Sequence, residues 1–185
     1  MEQRGTPAVA QQSFTLEIVV TDGHERRFLR TSDSANVLIY LRDRQQILLV
    51  SQCREAMVRP GNANGRITES TAGRFDRDES VRQLLAHEAG EEVGVTIDPN
   101  SITLLNQCTA LALSAGCLTE RAWLGYVEIT NDQLEQAERA FGLAEEGERI
   151  TRVFLPVSEL ENYVCEDVRV FALLQWFLRN KVDKR

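Results

Sequence analysis

Residues 72–95 read AGRFDRDESVRQLLAHEAGEEVGV. The spacing predicts a helix: Asp76 or Asp78 serves as N-cap, and Glu79 stands in the first turn, where an acid suits the helix dipole. Val81, Leu84, Leu85 and Ala89 fall at helical spacing and make one apolar stripe. Gly94 is placed to end the helix in a left-handed cap. The last turn crowds three acids, Glu88, Glu91 and Glu92, and two of these, Glu88 and Glu92, share one face. Like charges at that spacing cost roughly 0.2–0.5 kcal/mol and acids at a helix C-terminus roughly 0.3–1 kcal/mol. A hard cation reverses the balance, because carboxylates on a rigid face suit Mg2+ completed by waters and substrate phosphates. A solvated acidic face is the plain alternative.

The residues just before the helix separate these readings. Gly73 lies six positions before Glu79, Glu79 nine before Glu88, and Glu88 four before Glu92, with Gly94 and Val95 following. This pattern resembles the Nudix box, G-x5-E-x7-R-E-U-x-E-E-x-G-U with U apolar, at every fixed position but one: His87 stands where the family has Arg. The resemblance implies a Nudix fold, an α/β/α sandwich with a mixed sheet. It also implies a metal-dependent pyrophosphatase acting on a nucleoside diphosphate linked to another group, with Mg2+ as the expected ion and Mn2+ as the alternative.

Length and composition agree with that expectation. A chain of 185 residues with 43% hydrophobic and 26% charged residues reads as one globular unit with a real core. A net charge of −7 argues against a general nucleic-acid binder but not against one metal-neutralised nucleotide. No apolar run approaches 18 residues, so no membrane span is expected, and Met1–Gln12 lacks the apolar core of a signal peptide. Four cysteines without a C-x-x-C pair point to free thiols and a cytoplasmic protein.

On the N-terminal side, residues 1–12 read as a trailing tail. Phe14, Leu16, Ile18 and Val20 alternate with more polar residues as a half-buried strand, and Asp22-Gly23 turns the chain into a second strand near Arg26–Arg30. Residues 13–33 thus form a β-hairpin ahead of the main unit, 34–185. Its apolar face has few partners within its own segment, so a second copy of the chain is the expected cover, making a homodimer. Asn36–Leu41 and Gln45–Gln52 are apolar strands.

The larger pattern resembles the nucleotide-sugar branch of the family, the ADP-ribose and GDP-mannose pyrophosphatases, over roughly residues 36–179. Gln52-Cys53-Arg54 matches that branch's Q-x-R, which supplies an Arg to the substrate, a task suited to the bidentate guanidinium. Glu69-Ser70-Thr71-Ala72-Gly73 matches its E-x-P-A-G with Thr71 in place of Pro, and the Ala72 carbonyl is the implied metal ligand. Ser114, Gly116 and Glu120 match S-P-G-x-x-x-E with Ala115 in place of Pro, and the resemblance implies that Gly116 and Glu120 lie near the substrate; a loop acid in water is the alternative for Glu120. Gly142, Leu143, Glu146 and Glu148 match a loop that closes over the substrate, with Glu146 as general base and Glu148 as a metal ligand.

Between these motifs, Ile102–Leu113 and Arg121–Ile129 read as strands and Asp132–Phe141 as a helix. Ile150–Leu155 reads as a strand, Ser158–Glu161 as a capping box opening a short helix, and Asp167–Arg179 as a helix packing on the sheet through residues including Val168 and Phe171. Trp123 and Trp176 read as core.

Two functions follow from the resemblance. In the first, Glu88 and Glu92 hold metal with Ala72 and Glu148, Glu91 takes part in the chemistry with Glu146, Gln52 and Arg54 bind substrate, and Gly73, Glu79, His87 and Gly94 support the box. The product pair is a nucleoside monophosphate and a sugar phosphate. In the second, the chain is a catalytically weak or silent module that binds a nucleotide sugar, because a neutral His holds the box glutamates less firmly than Arg. The base and the sugar are not encoded in any motif here.

Overall fold

The computed structural model describes residues 14–75, 78–136, 141–142 and 149–182. Strands β1 (Phe14–Thr21) and β2 (His24–Thr31) form a separate two-stranded ribbon. Asp22 and Gly23 turn it with φ of 51° and 75°, both positive, as a tight two-residue hairpin requires. The ribbon is fastened by backbone bonds to a distant loop: Leu29 N–H donates to Cys117 O at 2.7 Å, and Thr119 N–H to Leu29 O at 3.0 Å.

An eight-stranded mixed sheet follows. Its path runs β10 (Thr151–Pro156), β4 (Gln46–Cys53), β3 (Ser34–Leu41), β9 (Arg121–Ile129) and β7 (Thr103–Leu104). Strands β5 (Arg66–Glu69), β6 (Thr71–Arg74) and β8 (Leu111–Ala112) pair with β4, β3 and β9 in turn. β3 and β9 are parallel and the other pairs antiparallel.

β3 is buried along its whole length, so its two faces feed two cores. Ala35, Val37, Ile39 and Leu41 meet Leu84, Leu85, Ala89 and Val93 of helix α1 (Val81–Val93). Leu38 and Tyr40 meet Val170, Leu173, Leu174 and Phe177 of helix α2 (Val168–Phe177) on the opposite face. Each fully buried Leu contributes about 1.5–3 kcal/mol. Helix, sheet and helix thus stack as the resemblance implied, and Trp123 and Trp176 pack against the two cores.

Several local expectations are corrected. The N-cap of α1 is Ser80, whose hydroxyl accepts from Gln83 N–H while the Gln83 side chain accepts from Ser80 N–H. This reciprocal box displaces Asp78 and leaves Glu79 ahead of the helix; Asp76 lies outside the described residues. Gly94 does end the helix in the left-handed region, at φ 58°. Ile102–Leu113 is not one strand: Asn106, Gln107 and Cys108 are all left-handed, which breaks it into β7, a turn and β8. In place of a helix from Asp132, a single 3-10 turn spans Asn131–Gln133. The chain then runs against the end of α1, with Glu135 N–H donating to Gly94 O at 2.8 Å and Leu134 bridging Val95. Residues 137–140 of that expected helix lie outside the description.

Val157–Asn162 is a 3-10 turn entered through Pro156, without a side-chain cap, so Ser158 does not open a capping box. On α2, Val168 and Phe171 face solvent and the packed face is Val170, Leu173, Leu174 and Phe177. Among the described residues no helix is long and apolar enough to cross a membrane.

Candidate functional site

The start of β3, the end of β4 and the start of β9 lie at one end of the sheet, because β3 and β4 are antiparallel and β3 and β9 parallel. There the sheet forks. β3 and β4 pair only over 39–41 and 46–48; beyond that, residues 34–37 of β3 take β6 and residues 50–53 of β4 take β5. Ser70 joins the two prongs. Gln52, Arg54, Glu69, Ala72, Gly73 and Glu120 all cluster at this end.

Helix α1 brings its acids onto one prong. Glu92 is 7% exposed, and its Oε2 accepts from Ala72 N–H at 3.1 Å. Glu88 lies over Gly73 so closely that a Cβ there would stand 2.2 Å from Glu88 Oε1. A turn back, His87 Nε2 lies 3.1 Å from Glu91 Oε1. One ligating atom from each of His87, Glu88 and Glu91 lies within 4.8 Å of the other two. Glu79 Oε1 is buried and has no hydrogen-bond partner among the described residues.

The other prong carries a charge network centred on Glu69, itself 7% exposed. Glu69 Oε2 accepts from Gln52 Nε2 at 3.0 Å and Arg54 Nε at 2.8 Å, and Oε1 accepts from Arg169 Nη2 at 3.1 Å. Arg169 also donates to Asp167 Oδ2 at 2.7 Å. Asp167 caps α2, accepting from the N–H groups of Arg169 and Val170. Burial pushes the Asp167 carboxyl up, but the Arg169 guanidinium and those two N–H groups outweigh it and hold the acid below its ordinary value. Burial alone would lower Arg169; its bond to Asp167 and the charges of Asp167, Glu69 and Glu120 raise it instead. Glu120 is a buried acid, 8% exposed, whose Oε1 accepts from Ser34 Oγ at 2.7 Å. The reading of it as a loop acid in water is thereby corrected.

Ala72, Gly73, Glu88 and Glu92 are thus held together, as are Gln52 and Arg54 through Glu69. Gly116 is not drawn in by any contact: it sits in the open Ser114–Cys117 turn, where a Cβ would meet nothing within 4 Å. Glu146 and Glu148, with the loop motif that suggested them, lie outside the described residues. Arg169, Asp167 and Ser34 were not legible as site residues. Arg169 meets Glu69 from 100 positions away, and no local pattern announces such a pair.

The donors of α1 fit a divalent cation. Two carboxylates, Glu88 and Glu92, converge on a strand with no side chain in the way at Gly73, and the buried Glu79 oxygen lacks a donor among the described residues.

No family model matches the chain. Individual relatives do. A GDP-mannose pyrophosphatase of Enterobacter sp. (strain 638) is 27% identical over 157 residues, 83% of this chain and 77% of the relative. Those of Klebsiella pneumoniae subsp. pneumoniae and Cronobacter sakazakii are each 28% identical, over 176 and 172 residues, covering 89% of this chain and 82% and 85% of the relatives. These relatives cover 83–89% of this chain, and their likeness supports the Nudix nucleotide-sugar pyrophosphatase family that the glycine and glutamate spacing of residues 73–95 resembles.

Proposed function

We propose that this protein hydrolyses the diphosphate bond of ADP-ribose or a related nucleoside diphosphate sugar, GDP-mannose included, with Mg2+ as its ion. The observation that carries the reading is the seating of Glu88 and Glu92 on Gly73 and Ala72. In this reading Glu88, Glu92 and the Ala72 carbonyl hold the ion with Glu148, and Glu91 and Glu79 support them. When bound, such an ion neutralises diphosphate charge and makes a water a better nucleophile.

The chain's own residues do the rest. Glu69 takes the Arg54 Nε, which leaves the Nη pair of that guanidinium for phosphate oxygens. Gln52 packs on the same carboxylate and stiffens the arrangement. Glu146 removes the proton of the attacking water. Glu120, buried and held by the Ser34 hydroxyl, lines the substrate side of the fork.

Relatives named GDP-mannose pyrophosphatase put GDP-mannose beside ADP-ribose, ADP-glucose and UDP-glucose in the panel to assay. The test is phosphate-ester release from each compound with Mg2+, with Mn2+ and with EDTA. Turnover that EDTA leaves untouched removes the metal from the reading. A second reading rests on His87: binding of a nucleotide sugar without turnover would make the chain a recognition module.

The same proposal places the protein in the cytoplasm as a homodimer. Its support is the ribbon face formed by Phe14, Leu16, Ile18 and Val20, each more than half exposed.

A further inference from the structure

His87 and Glu91 face each other across one turn of α1, with His87 Nε2 3.1 Å from Glu91 Oε1. Glu88 joins them, so one nitrogen and two carboxylate oxygens lie within 4.8 Å of one another. Atoms that share one ion at about 2 Å each lie within about 4 Å of one another. The 4.8 Å limit on the separation of the three atoms is therefore close to the spacing that one shared ion needs. All three side chains are partly exposed, so an ion reaches them from solvent. The helix that carries them is fixed at both ends, by the Ser80–Gln83 box and by Gly94, so their spacing is preset.

The donor set decides which ions profit. Mg2+ takes oxygen ligands and keeps much of its water. Imidazole nitrogen instead favours zinc and its neighbours among the first-row transition ions. An Arg at this position, as in the family's box, has no lone pair to give. His87 therefore turns a cationic support into a donor.

We propose that His87 is a metal ligand, and that His87, Glu88 and Glu91 form a mixed nitrogen–oxygen site that binds Zn2+-class ions in preference to Mg2+. This rests on the reading of α1 as the metal-bearing helix. It adds a selectivity that an all-carboxylate set lacks. Because Glu88 serves both sites, Zn2+ competes with Mg2+ for it.

The sequence makes the test clean, since it contains two histidines, His24 on the ribbon and His87. The 15N-labelled full chain is titrated with Zn2+ without substrate while the imidazole nitrogens are followed by NMR. In parallel, calorimetry measures Zn2+ and Mg2+ binding to wild type, His87→Gln and His87→Arg; the difference between proteins subtracts binding at the exposed thiols of Cys53, Cys108 and Cys117. The expected result is a coordination shift at one His87 nitrogen with His24 unmoved. Both variants lose at least about tenfold in Zn2+ affinity, while neither loses more than about threefold in Mg2+ affinity. An unmoved His87 resonance at saturating Zn2+, or equal losses for both ions, overturns the proposal and leaves His87 as a neighbour of Glu91 on the helix face. Neither readout needs turnover, so a chain that passes this test yet hydrolyses nothing overturns the pyrophosphatase reading alone.

Discussion

The Ala72 N–H donates to Glu92 Oε2 at 3.1 Å, and this bond ties strand β6 to the last turn of helix α1. It places a buried carboxylate beside the strand segment whose backbone is proposed to meet the same ion.

Replacing Glu92 with Gln keeps an oxygen acceptor for Ala72 and removes the charge. Turnover should fall on the order of 10³ or more, since metal-assisted charge stabilisation supplies several kcal/mol. Thermal stability should hold or rise slightly, because one of three crowded acids is neutralised. Wild-type turnover of the variant at low Mg2+ would remove Glu92 from the metal shell.

Gly73→Ala tests the close approach of Glu88. The new Cβ would stand 2.2 Å from Glu88 Oε1 and 2.4 Å from its Cδ, so the carboxylate must move. It would also stand 2.5 Å from Glu88 Cγ, so the whole side chain must shift, and the stability loss should be about 1–3 kcal/mol. Metal affinity should fall about tenfold or more, because the ligand is displaced. Calorimetry with Mg2+ against a melting curve separates the two effects; a variant that binds Mg2+ like wild type shows that Glu88 does not need this seat.

Asp167→Asn should reveal the pH dependence of the Glu69–Arg169–Asp167 network. The Asp167 carboxyl is held below its ordinary value, so its folded state binds its proton less readily than the unfolded chain. Its stabilisation is therefore complete above the unfolded pKa of about 4 and is lost as pH falls through the lower folded value. Asn still caps the helix but cannot neutralise Arg169, and the loss near neutral pH should be about 1–3 kcal/mol. Denaturation curves at pH 7 and pH 3 should show the gap between the two proteins narrowing at the lower pH. A gap that widens on acidification contradicts the assignment.

The general base is tested by two neighbours. Glu146→Gln should lower kcat by roughly 10²–10⁴ with little change in substrate binding, and Glu145→Gln should do little. Equal effects, or a larger one at Glu145, would shift the register of that loop and bring Glu120 forward as base.

The ribbon face predicts the oligomer. Light scattering at micromolar concentration should give twice the 20.9 kDa of one chain, and Ile18→Glu should halve that mass. A wild-type monomer would leave Phe14, Leu16, Ile18 and Val20 without a second copy as cover.

Much of this architecture is legible from the residues alone. Alternation at Phe14–Val20, the Asp22-Gly23 turn, the apolar runs of β3 and β4, and Gly94 all act locally, and each element appears where its chemistry places it, although the Phe14–Val20 strand is exposed on both faces where the alternation predicts a half-buried one. The Ser80–Gln83 box is also local, but Asp76 and Asp78 offer caps of equal quality by residue type. The packed face of α2 is harder, because VRVFALLQWF is apolar on more than one side and the period alone cannot choose. The left-handed run at Asn106–Cys108 carries no glycine to announce it. Within the site, spacing along α1 is readable since a helix makes sequence distance into geometry. The contact of Glu69 with Arg169 depends on the whole sheet being assembled first.

The fork between β3 and β4 has a topological consequence. Opening a crevice in a sheet ordinarily strips strands of their ladder partners and leaves amides facing nothing. Here the strand edges that part company are each rematched, one to β5 and the other to β6, by a single return of the chain through Ser70. The crevice is therefore a feature of connectivity, present in the backbone before any side chain is chosen, and its lining can be rewritten residue by residue without unravelling the sheet that frames it.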